Sequence, residues 1–350
     1  MSALVGGEIG SYRLDDNFTI PICRPDTVLC RVRAVALYPV DAKLADYSAN
    51  PGALGGHDFA GDIVEVGEKI SRFTVGDRIF AMTVGLNPSD STSGAFGDYA
   101  LATADLACKI PEGMSYEEAA SLGVSLGTAG AALFQMLRFP LSRLEDRKRQ
   151  AEKVPVLVSG GATSTGTIAI QLLKLAGFVP IATCSQESSD LVRSRGAVAI
   201  FDYHSPSCGT KIRSWTNNSL EFVLDCVTTV SSMKMCYESI GSSGGQYIAL
   251  DPFPTIIQYS RRDVIADWLM ACTLSGEPVK LAGVYGRPGS PESREFAARF
   301  FVLAEELLER RLIMTHPLQR RGGGLCDIPS GIDDLRMGKI RGQKLVYTLT

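Results

Sequence analysis

Residues 154–185, VPVLVSGGATSTGTIAIQLLKLAGFVPIATCS, decide the fold of this chain. The apolar run VPVLVSG predicts a buried strand, the helically spaced TIAIQLLKLAG closes on Gly177 as a C-cap, and FVPIATCS predicts a second strand. Gly160, Gly161 and Gly166 lie in the turn between the first strand and the helix. Glycines let the backbone approach a pyrophosphate, and the helix start offers N–H groups and a positive dipole end. We therefore predict a dinucleotide site, the alternative being a tight turn without a ligand.

The sequence after this segment continues the alternation of strands and helices. AVAIFDY (197–203), LEFVLDCV (220–227) and GGQYIAL (244–250) each predict a further buried strand. Strands that alternate with helices favour a parallel, doubly wound sheet.

The first hundred residues follow a different pattern. VLCRVRAVAL (28–37) and AGDIVEVG (60–67) have the β-branched alternation of half-buried strands, and Gly- and Pro-rich turns separate such runs. Short strands with frequent turns predict a small barrel. Ser115 is a predicted N-cap with Glu118 three residues later, and residues 293–313 predict a long amphipathic helix. KLVYTL at the C-terminus predicts a strand that returns to the first domain.

Composition excludes several classes of protein. The chain has 350 residues, 45% hydrophobic and 21% charged, with a net charge of −3, which favours a globular protein of two domains and gives no reason to expect nucleic acid or an anionic membrane as partner. No continuous apolar run approaches the roughly 18 residues that span a bilayer, and the N-terminus shows no secretory signal. The 9 cysteines form no CxxC pair, so we expect reduced thiols and a cytoplasmic protein.

The tip of the second strand bears on the choice between NAD and NADP. An NAD site usually carries an acid about 20 residues beyond the glycine turn. Here the strand ends Thr183-Cys184-Ser185-Gln186, and Glu187 is expected to face solvent. Ser185 and Gln186 can donate hydrogen bonds to a 2′-phosphate, which favours NADPH.

Two long stretches resemble the medium-chain dehydrogenases/reductases. They are GGHDFAGDIVEVGEKISRFTVGDRIF (55–80) and GAFGDYALATADLACKIPEGMSYEEAASL (94–122). The thinned glycine turn, VRSRGAVAIFDYHSP (192–206) and GQKLVYTL (342–349) are more closely similar to the fungal trans-acting enoyl reductases.

The resemblance implies an α/β protein with a Rossmann doubly wound parallel sheet and a GroES-like β-barrel catalytic domain. We predict residues 1–125 and 306–350 for the barrel domain and 126–305 for the Rossmann domain. The implied activity is NADPH-dependent reduction of the α,β-double bond of a polyketide thioester. The implied partner is a polyketide synthase, or a synthase–peptide synthetase hybrid, whose acyl-carrier domain holds the substrate. The chain is expected to be a monomer.

The resemblance also implies positions for the site. The cofactor-binding residues would be Val40, Asp41, Ala42 and Lys43 on the nicotinamide side, Thr163, Ser164, Thr165 and Gly166 at the pyrophosphate, Ser185, Gln186, Glu187, Ser188 and Tyr203 at the 2′-phosphate, and Leu250, Asp251, Leu345 and Val346 at the nicotinamide ribose. The acyl chain would pass Ser125, Leu126, Gly127, Thr128, Ala129, Gly130, Ala131 and Ala132, then Cys272, Thr273, Leu274, Ser275 and Gly276. The small side chains of SLGTAGAA are interpreted as a slot for this chain.

No metal is expected. Zinc-dependent relatives use a cysteine in the segment matching ALYPVDAK (36–43), the histidine of a GHE motif, and a later cysteine or acid. His57-Asp58 resembles that motif, but the segment at 36–43 has no cysteine. One histidine does not make a three-ligand catalytic site. His57 is therefore predicted to be a packed or hydrogen-bonded turn residue.

The candidate catalytic residues are Lys43 and Tyr47. Hydride addition to an enoyl thioester produces an enolate, which needs hydrogen bonds at its oxygen and then a proton at the α-carbon. Lys43 is predicted to polarise the substrate or orient the cofactor, or else it is a surface lysine. Tyr47 is a candidate proton donor, although water can serve instead, and Asp225 is expected to be structural. The alternatives are a zinc-free quinone or small-enone oxidoreductase, an alcohol dehydrogenase, and a catalytically silent scaffold.

Overall fold

The computed structural model describes residues 1–48, 50–145 and 153–349. The strands are β1 (Ala3–Gly6), β2 (Tyr12–Asp15), β3 (Thr27–Ala36), β4 (Asp58–Val66), β5 (Arg78–Met82), β6 (Tyr99–Thr103), β7 (Ala107–Lys109), β8 (Pro155–Ser159), β9 (Val179–Cys184), β10 (Ala199–Asp202), β11 (Phe222–Asp225), β12 (Gly245–Ala249), β13 (Val264–Trp268), β14 (Leu318–Arg321) and β15 (Lys344–Thr348). The helices are α1 (Pro39–Tyr47), α2 (Tyr116–Ala120), α3 (Gly123–Gly130, with a π-helical continuation over Ala131–Met136), α4 (Ser142–Glu145), α5 (Ser164–Leu175), α6 (Ser189–Ser194), α7 (Cys208–Trp215), α8 (Val230–Ser239), α9 (Thr255–Gln258), α10 (Pro291–Glu309) and α11 (Gly324–Arg336).

The described chain divides into two compact units. Unit 1 contains residues 1–127 and 272–350, and unit 2 contains residues 128–271. The predicted domains differ from these units at residues 126–127 and in the segment 272–305, both of which the sequence assigns to the nucleotide-binding domain. This segment includes most of α10, and Arg294 in that helix forms ion pairs with Asp26 at 3.1 Å and Asp105 at 2.7 Å. Because both partners belong to unit 1, the helix does too.

Unit 2 is built on a six-stranded sheet. The strand order is β10-β9-β8-β11-β12-β13, and every pair in it is parallel. This is the order of the doubly wound dinucleotide-binding fold, which confirms the predicted Rossmann architecture. β8 and β11, the two central strands, run almost entirely through the buried core, as a parallel sheet covered on both faces requires.

Unit 1 is built on a seven-stranded sheet. The order is β14-β15-β3-β4-β5-β7, with β6 paired to β3, and the contacts are antiparallel except between β14 and β15. The C-terminal strand β15 pairs with β3, so the predicted return of the C-terminus to the first domain is confirmed. α2 begins at Ser115 with the predicted capping box to Glu118.

The stretch Tyr116–Met136 is long and apolar enough to cross a membrane by length and composition. It was not expected from the sequence, because polar residues interrupt every continuous apolar run. The most apolar 18 consecutive residues of this stretch are 89% buried inside the protein. Its apolar surface is therefore covered by the fold, as in a core helix.

Candidate active site

The predicted cofactor residues of unit 2 lie along one edge of its sheet. Thr163–Gly166 follow β8, Ser185–Ser188 follow β9, Tyr203 follows β10, and Leu250 and Asp251 follow β12. Because all these strands are parallel, their carboxyl ends meet at the same edge. In open α/β sheets, ligands bind at this edge.

The turn between β8 and α5 is held by its own residues. Thr163 is the N-cap of α5: its Oγ1 accepts a hydrogen bond from the Gly166 N–H at 3.0 Å and donates to the Gly160 carbonyl at 2.8 Å. The hydroxyl of Thr163, a residue predicted to lie at the pyrophosphate, thus donates its proton within the turn. A Cβ at Gly166 would collide with the Gly160 carbonyl oxygen, and Gly160 has φ +76°. The bare backbone and the helix start fit a pyrophosphate.

The strand tip after β9 carries hydroxyl groups. Ser185 Oγ donates to Ser188 Oγ at 3.3 Å, while Gln186 and Glu187 are exposed. The exposure of Glu187 confirms its predicted orientation toward solvent. Tyr203, 52% exposed, packs against the His204 ring, with centroids 4.1 Å apart and the planes tilted by 33°.

Asp225 at the end of β11 is a structural residue, as predicted. One carboxylate oxygen accepts the N–H groups of Val227 and Thr228, and the other accepts the hydroxyls of Ser232 and Tyr247. Burial raises the pKa of Tyr247, so its hydroxyl remains a donor. Both oxygens of this buried carboxylate therefore accept hydrogen bonds from residues of unit 2.

In unit 1, helix α1 carries both predicted catalytic residues. Lys43 is exposed, whereas the neighbouring Asp41 is fully buried. The Tyr47 hydroxyl donates to the Ala282 carbonyl at 2.6 Å, and its ring meets that of Tyr285 edge-on at 4.7 Å. The Tyr47 proton is therefore engaged by the main chain of the same unit. Of the other predicted cofactor residues in this unit, Val40 is half-buried and Ala42, Leu345 and Val346 are buried.

Asp41 and His57 form a buried dyad. Asp41 Oδ1 lies 2.6 Å from His57 Nδ1, and Oδ2 accepts the Tyr38 N–H at 2.6 Å. The prediction that His57 is a hydrogen-bonded turn residue is confirmed. The Asp41 side chain, predicted to line the cofactor, points instead to His57. Among the described residues, no group of three or more His, Cys, Asp or Glu is placed to hold a metal ion.

A second group of buried polar side chains lies beside this dyad. The Tyr38 hydroxyl is 2.6 Å from Ser125 Oγ, and the Lys344 ammonium lies over the Tyr38 ring. Asp58 accepts the Val124 N–H at 2.7 Å. Within the described part of the chain, Asp58 Oδ2 and Lys344 Nζ have no hydrogen-bond partner.

The pKa shifts of Asp58 and Lys344 both favour the neutral form of the side chain. Burial raises the pKa of Asp58, and the charge of Lys344 opposes the rise. Burial lowers the pKa of Lys344, and Asp58 and Asp41 oppose that fall. Sequence reasoning missed Tyr38, Asp58 and Lys344. The only signal for them is that Tyr38 lies in the segment 36–43, in which zinc-dependent relatives have a cysteine, and that Asp58 follows His57.

The predicted acyl-chain residues are mostly buried. All eight residues of SLGTAGAA, Ser125–Ala132, are buried, and their small side chains pack closely. A Cβ at Gly127 would lie 2.8 Å from Met82 Sδ and 3.2 Å from Leu274 Cδ1. The structure thus brings Gly127 and Leu274, one from each predicted acyl-chain segment, into contact. Cys272, Thr273, Ser275 and Gly276 are half-buried.

Sequence comparison identifies close relatives. Residues 24–112 match the alcohol dehydrogenase GroES-like domain, which confirms the predicted catalytic-domain type. The chain is 54% identical to a trans-enoyl reductase of Gibberella fujikuroi over 100% of both chains. It is 52% identical to trans-enoyl reductase grgB of a Penicillium species, over 100% of this chain and 98% of the relative.

Solved structures share the fold. The CurK enoyl reductase superposes with a TM-score of 0.76 at 18% identity, over 100% of this chain and 99% of that one. Mycobacterial Rv1454c complexed with NADPH gives a TM-score of 0.74 at 19% identity over 100% of both chains. The full-length identity to named enzymes, together with the two-unit architecture, shows that this chain is an oxidoreductase that belongs to the fungal trans-enoyl reductases of the medium-chain dehydrogenase/reductase superfamily.

Proposed function

We propose that the protein uses NADPH to reduce the α,β-double bond of a polyketide thioester held on the acyl-carrier domain of a partner polyketide synthase or synthase–peptide synthetase hybrid. The observation that carries this proposal is the 54% identity to a trans-enoyl reductase across the whole chain. We take "trans" in the relative's name to mean that the substrate is carried by another protein.

The carboxyl edge of the unit 2 sheet supports the choice of NADPH. Thr163–Gly166 would hold the pyrophosphate, and Ser185–Ser188 with Tyr203 would surround the 2′-phosphate. Ser185 and Ser188 offer hydroxyl groups there, and the only carboxylate of that turn, Glu187, is exposed. A structure similar in fold is a complex with NADPH.

The residues of unit 1 would supply position and charge for the reduction. The nicotinamide, when bound, supplies a hydride for the β-carbon. Lys43, exposed on α1, would stabilise the negative charge that develops on the thioester oxygen. The segments 125–132 and 272–276 would guide the acyl chain past this position.

A quinone or small-enone oxidoreductase remains the alternative, because such enzymes share the fold and a nicotinamide cofactor. We expect NADPH oxidation with enoyl-pantetheine thioesters of graded chain length, a higher rate when the substrate is loaded on the partner synthase, and little activity with small quinones. Quinone reduction without thioester reduction would establish the alternative. No NADPH oxidation with any thioester, free or carrier-bound, would favour a silent scaffold, and stoichiometric zinc on metal analysis would favour an alcohol dehydrogenase.

A further inference from the structure

The His57–Asp41 dyad is built like a proton-transfer group. Asp41 is fully buried, and each of its carboxylate oxygens has a donor: Nδ1 of His57 and the N–H of Tyr38. A buried carboxylate on Nδ1 fixes the orientation of an imidazole. Asp41 therefore holds the ring by Nδ1, which leaves Nε2 as the nitrogen that can exchange a proton with a ligand.

His57 Nε2 is the unengaged end of the ring. The side chain is 6% exposed, and no described residue forms a hydrogen bond with Nε2. One ring nitrogen is thus held by Asp41 in the interior, and the other is the end of the ring that a ligand can meet.

The main chain around His57 is fixed. Gly56 has φ +89°, and a Cβ there would collide with the Phe96 ring. The Thr83 N–H donates to the His57 carbonyl at 2.8 Å, and the Thr83 hydroxyl donates to the Gly56 carbonyl at 3.1 Å. A catalytic acid needs this kind of preorganised position.

The other candidate donors on α1 are less suited to the step. The Tyr47 hydroxyl already donates to the Ala282 carbonyl. Lys43 is exposed, and its proposed role at the thioester oxygen requires it to keep its proton. The same helix carries Asp41, which links His57 to the segment proposed to line the nicotinamide.

We propose that His57, oriented by Asp41, is the catalytic acid that protonates the α-carbon; this rests on the proposed enoyl-thioester reduction. Hydride addition to the β-carbon moves the π electrons onto the thioester as an enolate. The enolate electrons then form a bond between the α-carbon and the Nε2 proton, and the N–H electrons remain on the imidazole. Water returns a proton to Nε2. Overall, one enoyl thioester, one NADPH and one proton become the saturated thioester and NADP⁺.

The first test follows solvent protons into the product. Wild type, His57→Gln, Asp41→Asn and the matched control Asp46→Asn are assayed with NADPH and a crotonyl-pantetheine thioester in D₂O. Asp46 is a carboxylate on the same helix that pairs with Arg336 and is exposed. We expect a 10²- to 10⁴-fold lower turnover in His57→Gln. Wild type and Asp46→Asn should place deuterium on one face of the α-carbon, and His57→Gln should place it on both.

Retention of single-face deuteration by His57→Gln overturns the proposal, whatever its turnover, because the facial choice would then come from another group. Thermal unfolding of each variant identifies loss of fold, and a folded fraction is sufficient for the stereochemical readout. If wild type reduces no enoyl thioester, the proposed function fails as well. Activity in wild type with unchanged stereochemistry in His57→Gln removes only the role of His57.

The second test needs no substrate or cofactor. The chain has 3 histidines, so NMR resolves the imidazole of His57 directly. Asp41→Asn should shift the Nδ1 proton signal of His57, because the charged acceptor of its hydrogen bond is lost. Asp46→Asn should leave that signal unchanged, and His204, paired with Asp202 at the surface, is the internal reference. An unchanged His57 signal in Asp41→Asn would show that the two side chains are uncoupled and would overturn the proposal.

Discussion

At the scale of single residues, Lys344 and Asp58 make an unusual pair. Lys344 is 4% exposed and Asp58 is fully buried. Burial lowers the pKa of Lys344 and raises the pKa of Asp58, so it favours the neutral form of each. Lys344→Met removes the amine and leaves a buried carboxyl without its compensating neighbour. We expect a loss of about 3 kcal/mol in the free energy of unfolding, measured by urea denaturation at pH 7.

The double variant Asp58→Asn/Lys344→Met is the control, and it should recover most of that loss because neither group is left alone. The folded pKa of Lys344 is below 10.5, so the unfolded chain binds more protons at this residue up to that pH. Wild-type stability relative to the double variant should therefore rise as pH increases toward 10.5. Asp58 has the opposite effect, because its pKa is higher in the folded protein than in the unfolded chain. Its contribution to the free energy of unfolding therefore falls as pH rises from 3.8 to the folded pKa. Equal losses in the single and double variants would contradict the coupling.

Lys43 has a separate expected effect. In Lys43→Ala the developing charge on the thioester oxygen loses its proposed partner, so kcat should fall by about 10²-fold while the Kd for NADPH changes by less than about threefold. Steady-state kinetics and fluorescence titration of NADPH measure the two quantities. Wild-type turnover in this variant would remove Lys43 from the mechanism. Lys69→Ala, an exposed lysine between β4 and β5, is the control.

The sequence predicted some residues of the candidate site and could not predict others. His57 was recognisable from GGHD, and its hydrogen bond was expected. Its partner Asp41 was assigned to the cofactor instead, because a sequence gives no direction for a side chain on a helix. Lys344 stands at the start of a strand that otherwise reads as apolar, and burial of a lysine is rare enough that no pattern suggests it.

At the scale of elements, prediction succeeded where local signals agree. The strand β8, its glycine turn and the helix α5 were all placed from periodicity and glycine spacing, and the structure places α5 at Ser164–Leu175. The amphipathic pattern of α10 specifies a helix, which the structure has, but it does not specify the unit that the helix joins. The ion pairs of Arg294 with residues distant in sequence decide that question.

The turn before α5 provides a test at this scale. In Gly166→Ala the added Cβ would meet the Gly160 carbonyl, so the turn must shift at a cost of about 1–3 kcal/mol. We expect a lower unfolding midpoint and a Kd for NADPH at least about tenfold higher. Gly322→Ala is the matched control, because nothing lies within 4 Å of its Cβ position. Equal NADPH affinity in the two variants would argue against a pyrophosphate at this turn.

At the scale of the whole molecule, the two units divide the proposed work between the dinucleotide and the chemistry. Unit 2 contains the sheet edge proposed to bind the dinucleotide, where Ser185 and Ser188 follow β9. Unit 1 contains α1, the His57–Asp41 dyad and the Lys344–Asp58 pair. Cofactor choice and proton delivery should therefore respond to different substitutions. A variant of the strand tip should change the preferred dinucleotide without changing the facial selectivity of α-carbon protonation.

Ser185→Asp tests this separation. The wild-type protein should bind NADPH at least about tenfold, or 1.4 kcal/mol, more tightly than NADH. A carboxylate at the strand tip repels the 2′-phosphate and can accept hydrogen bonds from the ribose hydroxyls, so the preference should reverse toward NADH. Fluorescence titration with both dinucleotides measures the preference, and deuteration of the product α-carbon should stay on one face. Ser194→Asp, at an exposed position on α6, applies the same change away from the tip. An absence of NADPH preference in the wild type would contradict the assignment of the 2′-phosphate to Ser185–Ser188.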